Sequence, residues 1–463
     1  MHPRTRIVFA IVTLVALLVS ACAPTATPEV QPTTATQPTA ETQPTAATQP
    51  TAEAEPTAEA EPTGMAGGEI DCGDAQQGDT ITMLYQWSGN EEELLNQILD
   101  PFVDACGVQI QAESTRDQSL LDTRVQAGTP PDVTFWNRAQ LVQYQDDLKT
   151  MDELGADAAN YPELFIELGS VEGRWLGLPV KADVKTIIWY SPVVFEAKSY
   201  TVPTTWDELD ALVEQMVANG DVPWSMGFES GDATGWTGSD FIQDILLVQQ
   251  GPDYVLGIID GSVPYDDPGV RTAYETYGKW ASDEQYTVGG VQGTLSTGFV
   301  DAIYKVFSDP PEAMMVKQSG FAGGEIVKQF PDLEYGTDFD FFAVPDAQGV
   351  QGGSDWMMAF SDSAAVQALV RYLASEAGAA RWAEVGFDLT PNKLSQGHYV
   401  DPGQEKRGEM LLGATGFTPD IGDAIPGGFG KAEWTGIINY VNGQDLDEQL
   451  AATRAAQEEE LGP

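Results

Sequence analysis

The chain is 463 residues long and carries 22 Lys+Arg against 71 Asp+Glu, a formal net charge of −49. A field of that sign repels nucleic acid and anionic lipid surfaces, so neither is an expected partner. With 2 His and 3 Cys in the whole chain, a zinc site of the usual His/Cys kind lacks ligands.

Arg4 and Arg6 precede an apolar run over 7–19, which closes on Val19-Ser20-Ala21-Cys22. The run is shorter than the about 20 apolar residues needed to cross a bilayer, so residues 1–21 read as an export signal. Its ending resembles a bacterial lipobox, which makes Cys22 the lipidated first residue of the mature chain and the tie to a membrane. Over 22–68 proline recurs at 38, 44, 50, 56 and 62 among threonine, alanine and glutamate, with large apolar side chains nearly absent. Such a segment cannot offset the entropy of ordering and reads as a disordered tether, spanning on the order of 140 Å at full extension.

The rest of the chain is long enough for two lobes with their own cores. Residues 81–85 (ITMLY) read as a strand; Ser88 to Asn90 offer caps, and Glu91, Glu92 and Glu93 fill a first helical turn. The stripe Leu94, Leu95, Ile98, Leu99, Phe102 and Val103 predicts a helix that stops at Gly107. Residues 108–111 alternate as a second strand, Asp117 caps a helix through Ala127, and Val133-Thr134-Phe135-Trp136 is a third strand. Strand and helix in alternation predict an α/β fold with a parallel sheet, whose ligands bind beyond the carboxyl ends of the strands. Here those ends carry Trp87, Arg116 and Trp136. Cys72 and Cys106 have one possible pairing, which would close a loop of about 35 residues and contribute roughly 3–4 kcal/mol.

Further along, 175–180 and 186–190 are extended pieces that could cross between lobes. Thr205 caps a helix with Leu212 and Met216 on its apolar stripe; others are expected from near Asp240, over 363–380 and over 446–460. Catalytic chemistry finds little to work with. A Ser-His-Asp site would depend on His398 alone, and no Gly-x-Ser-x-Gly elbow, calcium loop or phosphate cradle is present. No metal or cofactor is implied.

Aromatic density beside polar groups stands out instead. Trp87 lies in QWSGN, Trp136 in FWNRAQ, Trp236 in DATGWTGSD, Trp356 in GGSDWMM and Trp434 in GKAEWTG, all stretches that look like loops. Sugar rings offer apolar C–H faces and a rim of hydroxyls, so indole platforms beside carboxylates, amides and guanidinium groups suit them. Trp175, Trp189 and Trp206 are assigned to packing.

The runs GTPPDVTFWNRAQL, LGLPVKADVKTIIWYSPVVFE, PTTWDEL and RYLASEAGAARWAEVG, taken in order, resemble the extracellular solute-binding proteins of carbohydrate ABC importers. DATGWTGSDFIQDILL, the Pro391-Asn392-Lys393 run and GKAEWTGIINYVNGQDLDEQL are most similar to the alpha-glucoside-binding branch. The resemblance implies a two-lobed periplasmic-binding-protein fold of type II, joined by crossing strands that close around a sugar and hand it to a permease. It divides the chain into lobe 1 at 79–186, lobe 2 at 187–340, a return to lobe 1 at 341–390, and mainly lobe 2 with C-terminal helices at 391–463. By position it implies cleft roles for Trp136, Asp183, Trp236, Asp355, Trp356 and Trp434; with the residues' own chemistry added, stacking is expected from Trp87, Trp136, Trp236, Trp356 and Trp434, with Arg116, Lys181, Asp183 and Asp355 holding hydroxyls. The expected protein is a monomeric, lipid-anchored receptor on the outer face of the cell membrane, with no enzymatic activity. An exported glycoside hydrolase, or a receptor for another neutral polyol, would share the acidity and the aromatic residues.

Overall fold

The computed structural model describes residues 68–115 and 117–462; the export signal, Cys22, nearly all of the tether and Arg116 lie outside the described residues. β1 (Thr80–Tyr85) pairs in parallel with β2 (Gln109–Ser114) on one side and β3 (Val133–Trp136) on the other. A helix, Asn90–Cys106, joins β1 to β2 and ends on Gly107 in the left-handed region, as its apolar stripe and glycine foretell. Asp117 caps the helix Gln118–Gln126 by accepting from the Ser119 N–H. Cys72 and Cys106 are bonded to each other, which ties the segment before β1 to the last turn of the first helix.

After a short hairpin of β4 (Ser170–Val171) and β5 (Arg174–Trp175), β6 (Gly177–Ala182) forms the far edge of the same sheet. The chain then leaves for a second sheet, with β7 (Ile187–Tyr190) flanked in antiparallel fashion by β8 (Met315–Lys317) and β9 (Asp340–Ala343). It returns through β10 (Val350–Gln351) to β11 (Ser354–Ala359), which inserts between β3 and β6 antiparallel to both. A third passage starts after Leu389, which bridges Ala182, and reaches β12 (Phe417–Thr418), paired in parallel with β10. The first sheet is therefore mixed rather than parallel throughout, because β11 returns from the second sheet by a crossing and runs against its neighbours, whereas β6 keeps the direction of β3.

Alternation along the strands sorts side chains into cores. Ile81, Met83, Tyr85, Val133, Phe135 and Met357 join one apolar cluster with the helices Asn90–Cys106 and Ala364–Ala374. The other face, with Leu84, Trp136, Trp356 and Met358, shares a cluster with Ile187, Trp189, Val316 and Phe341 of the second sheet. Apolar contact thus runs continuously from one sheet to the other beside the crossings.

That packing corrects the expected placement of three tryptophans. Trp356 lies in β11, not in a loop, and is 0% exposed. Its indole fills the space over Gly169, where a Cβ would come within 2.8 Å of the ring. Trp136, its register partner across the ladder, is 4% exposed. Trp87 is 2% exposed, with its ring centroid 5.2 Å from that of Phe135 and 5.0 Å from that of Phe387. The polar neighbours that made these positions look like loops sit at strand ends, one or two residues away. Trp175 and Trp189 are buried, and Trp206 packs on Trp280 with centroids 5.5 Å apart. The helix expected over 363–380 is two, Ala364–Ala374 and Glu376–Val385, because Ser375 ends the first and caps the second by accepting from the Gly378 N–H.

Since Trp356 fills a closed core, Trp356→Ala is expected to destabilise the protein by about 3–5 kcal/mol. Urea unfolding checks this; a loss below about 1 kcal/mol would show that the indole is not a core residue.

Candidate functional site

Lys181, Asp183 and Lys185 alternate along the extended chain that leaves β6, so their side chains fall on one side of the first crossing. Lys181 Nζ lies 3.7 Å from Asp355 Oδ2 and 3.6 Å from Asp388 Oδ2. Asp355 in turn accepts from Gln86 Nε2 at 2.6 Å and from Trp87 Nε1 at 3.0 Å, so the buried Trp87 orients a carboxylate. Asp183 accepts from the Gly353 N–H of the second crossing. Lys185 bonds Asp420, lies 3.5 Å from Asp240 Oδ2, and holds its ammonium 5.4 Å from the Trp236 ring centroid. Charge therefore alternates from the first-sheet body to the second across the hinge.

At the far end of this ladder opens a pocket of about 300 Å³, bordered by Trp236, Trp434, Lys185, Asp240, Asp420 and Asp423, with Ser239 and Gly422 in its wall. Both tryptophans sit on helices rather than in the expected loops. Trp236 is the first residue of Trp236–Gln249, and Trp434 lies within Phe429–Val441. Two glycines bring them together. Gly235 turns into the helix at φ 106°, and a Cβ there would stand 2.9 Å from the Trp434 carbonyl oxygen. At Gly422 a Cβ would stand 2.9 Å from Trp434 Nε1.

The carboxylates are held by amides. Gln351 Nε2 donates to Asp240 Oδ1 at 2.8 Å and to Asp420 Oδ1 at 2.6 Å. Gln243 accepts from the Ile421 N–H at 2.9 Å and donates to the Pro419 carbonyl at 2.8 Å, which fixes the turn bearing Asp420. Beneath, Lys317 Nζ lies 3.3 Å from Asp244 Oδ2 and 3.7 Å from Asp240 Oδ2.

Of the residues singled out in the sequence, the structure brings Lys181, Asp183 and Asp355 together at the hinge, and Trp236 with Trp434 at the pocket. Trp136 and Trp356 face core, and Arg116 lies outside the described residues. Lys185, Ser239, Asp240, Asp420 and Asp423 were missed. The Lys-x-Asp-x-Lys alternation could have found Lys185; the others carry no local signal in a chain this rich in acids. Among the described residues no group of His, Cys, Asp and Glu is arranged to hold a metal ion.

Burial sets the protonation of these groups. It would depress the ammonium of Lys185, but Asp240, Asp420 and Asp183 outweigh it and hold the group well above its usual range. Lys181 is held up in the same way by Asp388, Asp355, Asp183 and Glu91. Burial, with Asp388 adding to it, pushes Asp183 up to about 7 against the pull of Lys185. Asp244 is pushed up to about 7 by burial against Lys317, and Asp423 to about 6 by burial and by Asp420. Asp420, gripped by Lys185, is lowered despite its burial.

An α/β body of two sheets, crossed three times by the chain beside an indole- and acid-lined pocket, is the architecture of a receptor that grips a solute rather than transforms it. The chain belongs to the bacterial extracellular solute-binding proteins, whose family it matches over residues 97–400. It is 31% identical over 413 residues to the alpha-glucosides-binding periplasmic protein AglE of Rhizobium meliloti, covering 84% of this chain and 89% of the relative. The osmoprotective compounds-binding protein GgtB of Synechocystis sp. is 30% identical over 383 residues, covering 79% of this chain and 89% of the relative. Among solved structures, the bacterial solute receptor AcbH has a TM-score of 0.69 at 19% identity, covering 82% of this chain and 98% of its own. The relatives are binding proteins, and this chain is a binding protein rather than an enzyme.

The raised acids predict how stability depends on pH. Asp183, Asp244 and Asp423 bind protons more tightly folded than unfolded, so the native state holds more protons between about pH 4 and 7 and stability falls as pH rises through that window. The lowered Asp420 and the raised lysines act outside it. Urea unfolding should show higher stability near pH 5 than near pH 8, and Asp244→Asn should make the slope shallower by on the order of 1 kcal/mol or more. A slope of the opposite sign, or one untouched by Asp244→Asn, contradicts the assignment.

Proposed function

We propose that this protein is the lipid-anchored sugar receptor of an ABC importer, taking a neutral glycoside, in particular an alpha-glucoside, between two lobes and delivering it to the permease when they close. The observation that carries the sugar reading is the pairing of Trp236 and Trp434, both on helices assigned to the second lobe, around one pocket that also holds Lys185, Asp240, Asp420 and Asp423. Indoles offer flat apolar faces to a ring, and the carboxylates and ammonium take its hydroxyls. The name of the Rhizobium meliloti relative supports an alpha-glucoside. That of the Synechocystis relative supports keeping small neutral osmoprotectants in view.

Lobe 1 is assigned to 79–186 and 341–390, and lobe 2 to 187–340 and most of 391–463, with the crossings as hinge. Ligand contacts are assigned to Trp236 and Trp434 and, across the hinge, to Lys181, Asp183 and Asp355. A ligand touching both lobes draws an open–closed equilibrium toward the closed form, and no bond is made or broken. Cys22 supplies the anchor and the proline-rich tether the reach.

A thermal-shift screen of alpha-glucosides, other sugars and polyols tests the reading, since a ligand at about 100 times its Kd adds about 2.7 kcal/mol. Trp236→Ala and Trp434→Ala should each weaken the best ligand by on the order of 2 kcal/mol. Unchanged affinity in both variants sinks the site, and no shift with any sugar or polyol sinks the function. Membrane fractionation should find the wild type with membranes and Cys22→Ala in the soluble fraction; an unchanged distribution would remove the anchor.

A further inference from the structure

Behind the pocket wall lies a carboxylate that does not border the pocket. Glu433, beside Trp434 in the same helix, is 1% exposed. The Ser239 hydroxyl, whose residue does border the pocket, donates to Glu433 Oε2 at 2.9 Å. From the other side the Tyr265 hydroxyl donates to Oε1 at 2.7 Å and stands 3.0 Å from the hydroxyl of Tyr274. The titratable groups facing Glu433 are Tyr265, Tyr274 of the helix Pro268–Ala281, Asp240 of the helix Trp236–Gln249, and Asp423 of the helix Ile421–Ala424. The C-terminal helix Leu446–Leu461 meets the Glu433 helix Phe429–Val441 through the neutral Gln449 and Thr453, next to Gly436, and at its start through Glu460, which accepts from the Gly428 N–H at 2.8 Å.

A serine hydroxyl has one proton and two lone pairs. While Glu433 is ionised, both of its oxygens accept, the Ser239 proton is committed away from the pocket, and only lone pairs are left to face it. Once Glu433 carries a proton it can donate to Ser239 Oγ, and the serine proton becomes free to point at a ligand.

We propose that Glu433 is a positioning residue that sets the hydrogen-bond polarity of Ser239 and thereby the specificity of the pocket. Ionised, it makes Ser239 an acceptor, so the ligand atom opposite must be a donor such as a free hydroxyl; protonated, it lets Ser239 donate to an acceptor. The inference rests on the reading of the pocket as the sugar site. It deepens that reading by naming a free, unsubstituted hydroxyl as the required group. Burial pushes Glu433 up to about 7 against the pull of Tyr265 and Ser239, which places both forms within ordinary buffers.

Two measurements test it. Without ligand, a double-mutant cycle of Ser239→Ala and Glu433→Gln on melting temperature should show stronger coupling near pH 8 than near pH 5.5, because the bond is charge-assisted only when Glu433 is ionised. Equal coupling at both pH values overturns the proposal. With ligand, the probes are glucose and the positional series of its monodeoxy-monofluoro derivatives, whose fluorine can accept but not donate and does not titrate. At the ring position facing Ser239, the fluoro derivative's affinity relative to glucose should fall about fivefold from low to high pH in the wild type and stay level in Glu433→Gln. The same pH profile in both proteins overturns it. If neither glucose nor any derivative binds, the ligand-free cycle alone decides the role of Glu433, and the sugar reading stands or falls by the thermal-shift screen.

Discussion

The Lys185 ammonium sits where the first crossing meets the second-sheet body, and carboxylates from three distant parts of the chain converge on it. Asp183 comes from the crossing itself, Asp240 from the helix Trp236–Gln249, and Asp420 from the turn after β12. Taking a cation out of water is worth several kcal/mol against folding unless its partners are held in place, and removing one partner leaves the others uncompensated. The surrounding amides meet that requirement. Gln351 bonds Asp240 and Asp420 together, and Gln243 locks the turn that presents Asp420. These contacts tie the helix Trp236–Gln249 and the turn after β12, both of which border the pocket, to the first crossing.

That anchor also shapes the pocket. Fixing the start of the helix Trp236–Gln249 fixes Trp236, and Gly235 and Gly422 let the helix of Trp434 approach closely enough for two indoles to share one opening. The first-sheet body mirrors the arrangement on a smaller scale, with Lys181 between Asp355 and Asp388 and with Trp87 steadying Asp355 from inside the core. A ladder of opposite charges along one extended segment is suited to a hinge. A continuous apolar cluster links the two sheets beside the crossings.

Tryptophan shows how far local pattern reaches. Trp236 and Trp434 border one pocket, yet the same reasoning put Trp87, Trp136 and Trp356 at the cleft when they are packed inside. Polar and glycine neighbours mark the end of a strand as readily as a loop. Which side of a strand end a side chain occupies depends on the strand that pairs with it. β11 arrives from a segment far beyond β3 in the chain and covers Trp136 with Trp356. Nothing near either residue announces that pairing. Acid abundance hid Asp240, Asp420 and Asp423 in the same way, since they become distinct only once Lys185 is among them.

By itself the sequence determined the elements whose causes are local: the first helix with its stripe and its Gly107 stop, the capping of helices by Asp117 and Thr205, the three opening strands, and the Cys72–Cys106 pair. The ordered runs along the chain also made the family legible. Tertiary structure alone decided that β11 enters antiparallel, which indoles are core, and which charges meet at the hinge. Those outcomes depend on contacts between segments far apart in the chain, whose energy exists only after the crossings have brought them within a few ångströms.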